Sequence, residues 1–513
     1  MAFADYFDRG AVAAAQVIAG FDEEAFKEVL SGTAVGVSLG AELADASEGR
    51  LSAEMTIRLL ARLYPRLAIT AAPAASTVAD ELRELARRIN PAIEVTDDDD
   101  APIGIVIGSG PNRSATPVFI GSKGWLALVS SSEPRPIGNT DNAFGAGAAA
   151  CFGCANVFRH LFLEGSDQID ADIVYSTYTG DLAVLDSPQP ALPDELPDRT
   201  VLVGCGAIGN GAAWALANSS IHGELNLVDR ETIELSNLQR YVLAERSNVD
   251  GVKVDVVADM FKNGISSVPH NAAWADFVAG AGYDWRYALV ALDSAADRRA
   301  VQASLPEKIV NAWTQPGDLG VSVHSRMTGS GSCLSCLYLP SGQTKNEDQL
   351  VAEALGVPEF QQQIRHLLYA GGPLPAEILD VVADRLSVER ETLALFRDRP
   401  VRELYVEGLC GGAVLPLDRL HGPQQEVHVP LAHQSALAGI QLAAAFARQL
   451  CESGEDETRI TRINVLRPLG TDLSQPSRKS DPRCVCADAD FAARYDEKWR
   501  PPRAKRARKT ATS

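Results

Sequence analysis

Residues 200–209 read TVLVGCGAIG, and about 15 residues later the chain returns to a strand-like stretch, ELNLVD, at 224–229. The apolar run at 200–203 has the length and β-branched content of a buried strand. Gly204, Gly206 and Gly209 then form a Gly-x-Gly-x-x-Gly turn. Such a turn lets the backbone approach a nucleotide and lets the following helix, predicted over 210–218, pack closely on the strand. Asp229 ends the next strand, where a carboxylate can accept from ribose hydroxyls. A further apolar strand, 287–292, ends at Asp293 and leads into a polar helix over 295–305. This alternation predicts a doubly wound α/β sheet with its ligand at the C-terminal strand ends, where Gly204–Gly209, Asp229 and Asp293 all fall.

The first half reads as a worn copy of the second. TAVGVSLG (33–40) stands where a glycine turn belongs, a helix is expected over 82–89, and GIVIGS (104–109) matches the strand before Asp293 but lacks its acid. GWLALV (124–129) precedes the small-residue helix GAGAAAC (145–151), which parallels 432–450 at the end of the second half. The predicted organisation is a degenerate domain over 1–180, a proline- and acid-rich linker over 181–199, and a complete α/β domain over 200–470. Amphipathic helices at 344–402 form an insertion with its own small fold. A segment over 471–496 carries a cysteine pair, and 497–513, containing KWRPPRAKRARK, reads as a basic disordered tail.

Composition narrows the function classes. The 513 residues are 46% hydrophobic and 22% charged, with a net charge of −20, which disfavours general nucleic-acid binding. No apolar run approaches the ~20 residues that span a bilayer. The N-terminal stretch lacks a basic region ahead of its apolar residues and does not read as a signal peptide, so a cytoplasmic protein is expected. The nine cysteines are unevenly spaced: CxxC at Cys333 and Cys336, CxC at Cys484 and Cys486, and Cys410 alone beside two glycines. In a reducing compartment paired thiols suggest metal and an isolated thiol suggests chemistry, whereas Cys151 and Cys154, on one small-residue helix, read as core.

The segment after Asp229 is more specific. DRETIELSNLQR (229–240) brings Asn237 and Arg240 to the same strand end, and Lys253 follows 13 residues later. A dehydrogenase has no use for these groups beside its dinucleotide. Two cations there neutralise charge developing on an α-phosphate and on departing pyrophosphate, and Asp293 can hold Mg2+ on the same phosphates.

The ordered set of glycine loop, strand-end Asp, SNL-x-R, downstream Lys and Leu292-Asp293-Ser294 with Arg298 resembles the ThiF/MoeB/HesA/ubiquitin-activating superfamily. The match is good over about 198–450 and holds only in outline over the N-terminal half. The resemblance implies two Rossmann-like ThiF-type domains, the first degenerate and the second active, with a zinc-bound C-terminal segment. It implies that Gly204, Gly206, Gly209 and Asp229 bind ATP, that Asn237, Arg240 and Lys253 contact phosphates, and that Asp293 orients Mg2+. It further implies that Cys410 takes the activated carboxylate as a thioester and that Cys333, Cys336, Cys484 and Cys486 hold Zn2+. Two positions depart from the family pattern: Tyr241 stands where Gln is usual, and the second thiol pair is CxC. The resemblance also implies that an Arg from the partner copy often completes such sites, and Arg9, ahead of the worn domain, is a candidate for it. The implied substrate is a ubiquitin-like protein ending in Gly, with a conjugating enzyme downstream, no membrane, and two copies paired within one chain or between two. Adenylation for sulfur transfer or peptide modification without a thioester, an NAD-dependent oxidoreductase and a non-catalytic nucleotide-binding scaffold are the alternatives.

Overall fold

The computed structural model describes residues 3–97, 100–163, 169–327, 331–339, 347–386, 388, 390–394, 396–405, 429–452 and 458–500. The first sheet contains β1 (Val35–Leu39), β2 (Arg66–Ala71), β3 (Glu94–Thr96), β4 (Ala101–Ile107), β5 (Ser114–Lys123), β6 (Leu126–Ser130), β7 (Ile173–Ser176) and β8 (Asp181–Leu182). The second contains β9 (Thr200–Val203), β10 (Gly223–Asp229), β11 (Ile265–Asn271), β12 (Tyr287–Val290), β13 (Lys308–Gln315), β14 (Asp318–His324), β15 (Arg459–Ile463) and β16 (Leu473–Ser474). Their orders are β3-β2-β1-β4-β5-β6-β7-β8 and β11-β10-β9-β12-β13-β14-β15-β16. Each sheet is parallel through its first five positions and antiparallel beyond. The shared order gives the internal duplication a topological form. The switch points lie between β1 and β4 and between β9 and β12; every residue of β1, β9 and β12, and all of β4 but Pro102, is buried, as parallel strands covered on both faces must be.

Element ends differ from the sequence expectation where tertiary contacts intervene. The helix expected at 210–218 starts a turn earlier, as Ala207–Ala217, directly on the glycine loop. The helix expected at 82–89 is the second half of Ser76–Ile89. The strand expected to reach 292 stops at Val290, because the Leu292 carbonyl turns to accept from the buried Arg298. Strand β8 lies inside the stretch read as linker, and Gln189 and Pro190 accept from the Trp125 backbone and indole N–H at 2.9 and 2.7 Å. Sheet two runs to Ser474, past the expected boundary at 470.

Residues Leu339–Val427 form a separate compact unit. Its described helices, Glu347–Ala354, Gln361–Ala370 and Ala376–Leu386, bury a core of their own around Val351, Leu355, Ile364 and Val382. The helix Ala489–Trp499 carries order into the segment read as a basic tail. Lys498 Nζ donates to the carbonyls of Ser304 and Leu305 at 3.1 and 2.7 Å, and the Trp499 indole donates to Leu305 at 2.9 Å. Among the described residues no helix is long and apolar enough to cross a membrane.

The two α/β halves meet through the helices Phe144–Phe162 and Ala432–Cys451, both almost wholly buried. Glycines set the closeness of approach. A Cβ on Gly439 would stand 2.2 Å from the Ile208 carbonyl, and one on Gly147 would stand 2.5 Å from the Trp214 ring. A buried ion pair adds a second fastening: Arg159 holds Asp170 at 2.8 Å and donates to the Val465 carbonyl, while Asp170 accepts from Leu469 N. Because the obstacle at Gly439 is backbone, Gly439→Ala is expected to lower unfolding free energy by about 2 kcal/mol, read by denaturant titration. Wild-type stability in that variant would refute the close packing of this helix on the helix Ala207–Ala217.

Candidate functional site

Three glycines shape the turn after β9 in different ways. Gly204 has φ +97°, and a Cβ there would stand 2.6 Å from the Ala291 carbonyl, so the chain passes between β9 and β12 only as glycine. A Cβ on Gly209 would meet the Gly204 carbonyl at 2.1 Å, which is the close helix–turn packing expected of this position. Gly206 faces open space apart from the Tyr241 hydroxyl. The helix Ala207–Ala217 has no side-chain cap at Gly206, so its first N–H groups and positive dipole end are left for an anion.

Asp229 leaves β10 with Oδ2 accepting from Cys205 N at 2.8 Å and Oδ1 from Glu231 N at 2.9 Å. Burial raises its carboxyl above the usual range against the pull of those N–H groups and Lys253. Asn237 lies in the turn Leu235–Gln239, and its Oδ1 accepts from Glu234 N at 3.1 Å. Its side-chain oxygen therefore serves the turn and its amide nitrogen is the end left to face a ligand.

Lys253 Nζ lies 2.5 Å from Glu231 Oε2 and 5.1 Å from the Tyr241 ring centre. Burial opposes its charge, but Tyr241, Glu231 and Asp229 outweigh it and hold the ammonium above its ordinary pKa. The Arg240 guanidinium lies 5.6 Å from the same ring. Both cations therefore lie within reach of the Tyr241 ring, which gives the departure from the family Gln a physical use. Among the described residues Arg240 Nη1 is buried without a hydrogen-bond partner. Burial lowers the Arg240 pKa, and after Tyr241 the charges that act on it are Arg9, Asp293 and Glu234. Arg9 belongs to the helix Phe7–Ala15, which packs on the turn Leu235–Gln239, and its Nε is also buried without a partner. Asp293 is exposed, just past β12.

The structure therefore brings Gly204, Gly206, Gly209, Asp229, Asn237, Arg240, Lys253 and Asp293 to the C-terminal strand ends of sheet two and adds Arg9 from the first half. Arg298 does not join them. It is buried, donating to Asn311 Oδ1 at 2.6 Å and to the Ala312 carbonyl at 2.8 Å, and it braces β12 and β13 from within. Cys410 lies outside the described residues. Glu231, the partner of Lys253, was missed; its only trace in the sequence is an acid two residues beyond Asp229.

At the matching switch point of sheet one the chain supplies an anion itself. Glu42 accepts from Ser109 N at 2.6 Å and from Ser109 Oγ at 2.8 Å. Its carboxylate stands 2.4 and 2.1 Å from where Cβ atoms on Gly40 and Gly108 would be. Burial opposes ionisation there, but these donors and its own backbone N–H hold the carboxyl below its usual pKa.

Cys333, Cys336, Cys484 and Cys486 bring their sulfurs within 4.8 Å of one another. The Sγ separations of 3.7 Å (333–336), 3.5 Å (333–484) and 3.5 Å (336–486) are too long for disulfides. They are close to the ~3.8 Å edge of a tetrahedron of thiolates about 2.3 Å from a central zinc. The CxC spacing is no obstacle, because a short turn, Val485–Ala487, starts at Cys484 and aims both thiols inward. Gln302 Nε2 and Asp481 N donate to Cys333 and Cys336 Sγ at 3.0 and 3.4 Å, as second partners of a thiolate site do. A hydrogen bond from Cys333, then those from Asp481 N, Cys484 and Cys486, lower the Cys336 pKa and favour its thiolate. The donor set fits zinc.

The family model described as ThiF matches residues 196–484, and one described as Prokaryotic E2 family C matches residues 39–163. The chain is 42% identical to the uncharacterized protein y4jF of Sinorhizobium fredii, covering 97% of this chain and 98% of that protein. It is 28% identical to molybdopterin-synthase adenylyltransferase of Escherichia coli, over 41% of this chain and 87% of the relative. It is 27% identical to the NEDD8-activating enzyme E1 catalytic subunit of Schizosaccharomyces pombe, over 23% of this chain and 28% of the relative. The purified protein is expected to carry about one zinc per chain. Cys336→Ser and Cys484→Ser should each abolish it and expose the segment after β16 to proteolysis. Metal analysis of the wild type that finds no zinc would contradict the assignment.

Proposed function

The chain belongs to the ThiF family, and we propose that this adenylyltransferase-type enzyme activates the C-terminal glycine of a ubiquitin-like protein and carries it as a thioester on Cys410. The observation that carries the reading is the gathering of Arg9, Arg240 and Lys253 at an uncapped helix N-terminus, with Arg240 Nη1 buried and unpartnered. A buried donor without an acceptor is costly, and a triphosphate supplies the missing acceptors.

In this reading the ribose hydroxyls meet Asp229 and the phosphates lie between the glycine loop and the cations. The glycine carboxylate attacks the α-phosphorus, a carboxylate O–P bond forms, and the bond to the β-phosphate oxygen breaks. Arg240, Lys253 and Arg9 neutralise the charge that grows on departing pyrophosphate. Asp293 would hold Mg2+, which supplies further neutralisation on the phosphate oxygens. The Cys410 thiol then loses its proton, its sulfur attacks the acyl carbon, and AMP leaves. The acyl group passes to a conjugating partner.

The first half supports this division of labour. Glu42 fills the place an anion would take, so one nucleotide per chain is proposed. Cys151 and Cys154 are only 1% and 3% exposed, and burial raises both thiols far above their usual range. Neither suits acyl transfer, which leaves the conjugating partner as a separate protein. All eight described cysteines are free thiols, in keeping with a reducing cytoplasm. The similarity to molybdopterin-synthase adenylyltransferase favours a second reading, adenylation for sulfur transfer without a thioester.

Calorimetry should find about one ATP per chain. In ATP–pyrophosphate exchange with a β-grasp protein ending in Gly, Lys253→Ala and Asp293→Ala are each expected to lose about 100-fold or more. Full exchange in both variants would sink the reading. Cys410→Ala should keep exchange but lose the thiol-labile adduct, and an adduct unaffected by that change favours the sulfur-transfer alternative.

A further inference from the structure

Arg62 follows the helix Ser47–Leu60 of the first half and is only 3% exposed. Its guanidinium reaches 176 residues along the chain, donating from Nη1 to the Leu238 carbonyl at 2.5 Å. Nη2 donates to the Val242 and Ala244 carbonyls at 3.0 and 2.8 Å. Arg58, one turn earlier, donates to the same Val242 carbonyl at 3.0 Å. No carboxylate is among these partners of Arg62. Burial lowers its pKa to about 10, so it remains a cation at neutral pH.

A buried cation solvated by carbonyls is an expensive way to join a helix end to a loop, and apolar residues of similar volume do that at least as well. What the planar fork adds is direction, because it fixes several acceptors at once. The three carbonyls bracket Arg240 and Tyr241. From the opposite side, Asn210 Oδ1 accepts from Leu243 N at 3.1 Å, while its Nδ2 donates to the Cys205 and Gly206 carbonyls at 2.9 and 3.0 Å. Residues 238–244 are therefore clamped between the glycine loop and an arginine of the other half. Beside the clamp, one cavity is lined by Arg62, Tyr64, Gln239 and His433. Each of these four presents a buried side-chain atom without a partner: Nε, OH, Oε1 and Nε2.

The geometry assigns Arg62 a positioning role: this cation of the first half holds residues 238–244 in the shape that sets Tyr241 beside Gly206 and Arg240 against the Tyr241 ring. Nucleotide binding in the second half then depends on a half that carries no nucleotide itself. The inference rests on the adenylation reading.

The test is direct titration of full-length protein with ATP and Mg2+, without any carrier protein. Arg62→Met is expected to weaken ATP binding by about 10- to 100-fold. Arg62→Lys keeps the charge but loses the fork and is expected to fall between that variant and wild type. Arg58→Met removes one of the two donors to Val242 and should show the mildest loss. Hydrogen exchange should quicken at 238–244 in the same rank order. A merely structural role would lower the melting temperature while folded protein kept wild-type affinity, and wild-type affinity in folded Arg62→Met or Arg62→Lys overturns the assignment. Where Arg62→Met fails to fold, Arg62→Lys and Arg58→Met decide. Failure of the wild type to bind ATP overturns the adenylation reading itself, and the positioning role with it.

Discussion

The meeting of the helix Ala432–Cys451 with the helix Ala207–Ala217 is the constraint on which the rest of the molecule depends. Gly439 lets the two backbones approach until a single added carbon has no room, and Gly211 does the same against Ala436. The same long helix packs on Phe144–Phe162 of the first half. One buried layer therefore sets the glycine loop, the join between the halves and the reach of the first half toward the switch point. A rigid layer suits such a task, since close-packed interiors transmit small displacements.

The two halves share a sheet order but differ in the charge they place at the switch point. In sheet two an uncapped helix end stands with Arg240, Lys253 and Arg9, two of them within reach of the Tyr241 ring. In sheet one the corresponding space holds the Glu42 carboxylate, satisfied by Ser109. A fold that creates an anion-binding concavity must fill it or use it, and this chain does each once. The consequence is a difference in charge between the two switch points within near-symmetry of topology, while Arg9 and Arg62 of the first half reach the segment that carries Arg240.

The cysteine cluster solves a different problem. It joins a short helix after β14 to a segment beyond β16, and Gln302 links it to the helix that follows Asp293. The C-terminal helix then packs on the turn at Leu305, where φ is +56° and two side chains, Lys498 and Trp499, make three hydrogen bonds to the carbonyls of Ser304 and Leu305. A segment with little apolar surface is thereby held by a cluster of four cysteines and by hydrogen bonds.

By itself the sequence determined what depends on short-range pattern. The glycine spacing, the strand-end position of Asp229 and Asp293, the order of Asn237, Arg240 and Lys253, and the small-residue helices of both halves were all legible, because each is a local motif or a periodicity. Tertiary structure alone decided which distant groups share a space. Arg62 meets a segment 176 residues away, Glu42 turns into its own crevice, the Tyr241 ring meets two cations, Arg298 withdraws into the core, and CxC closes on CxxC from 150 residues off. None of these has a signature in neighbouring residues, because a side chain's partner is fixed by how buried layers stack and not by its place along the chain.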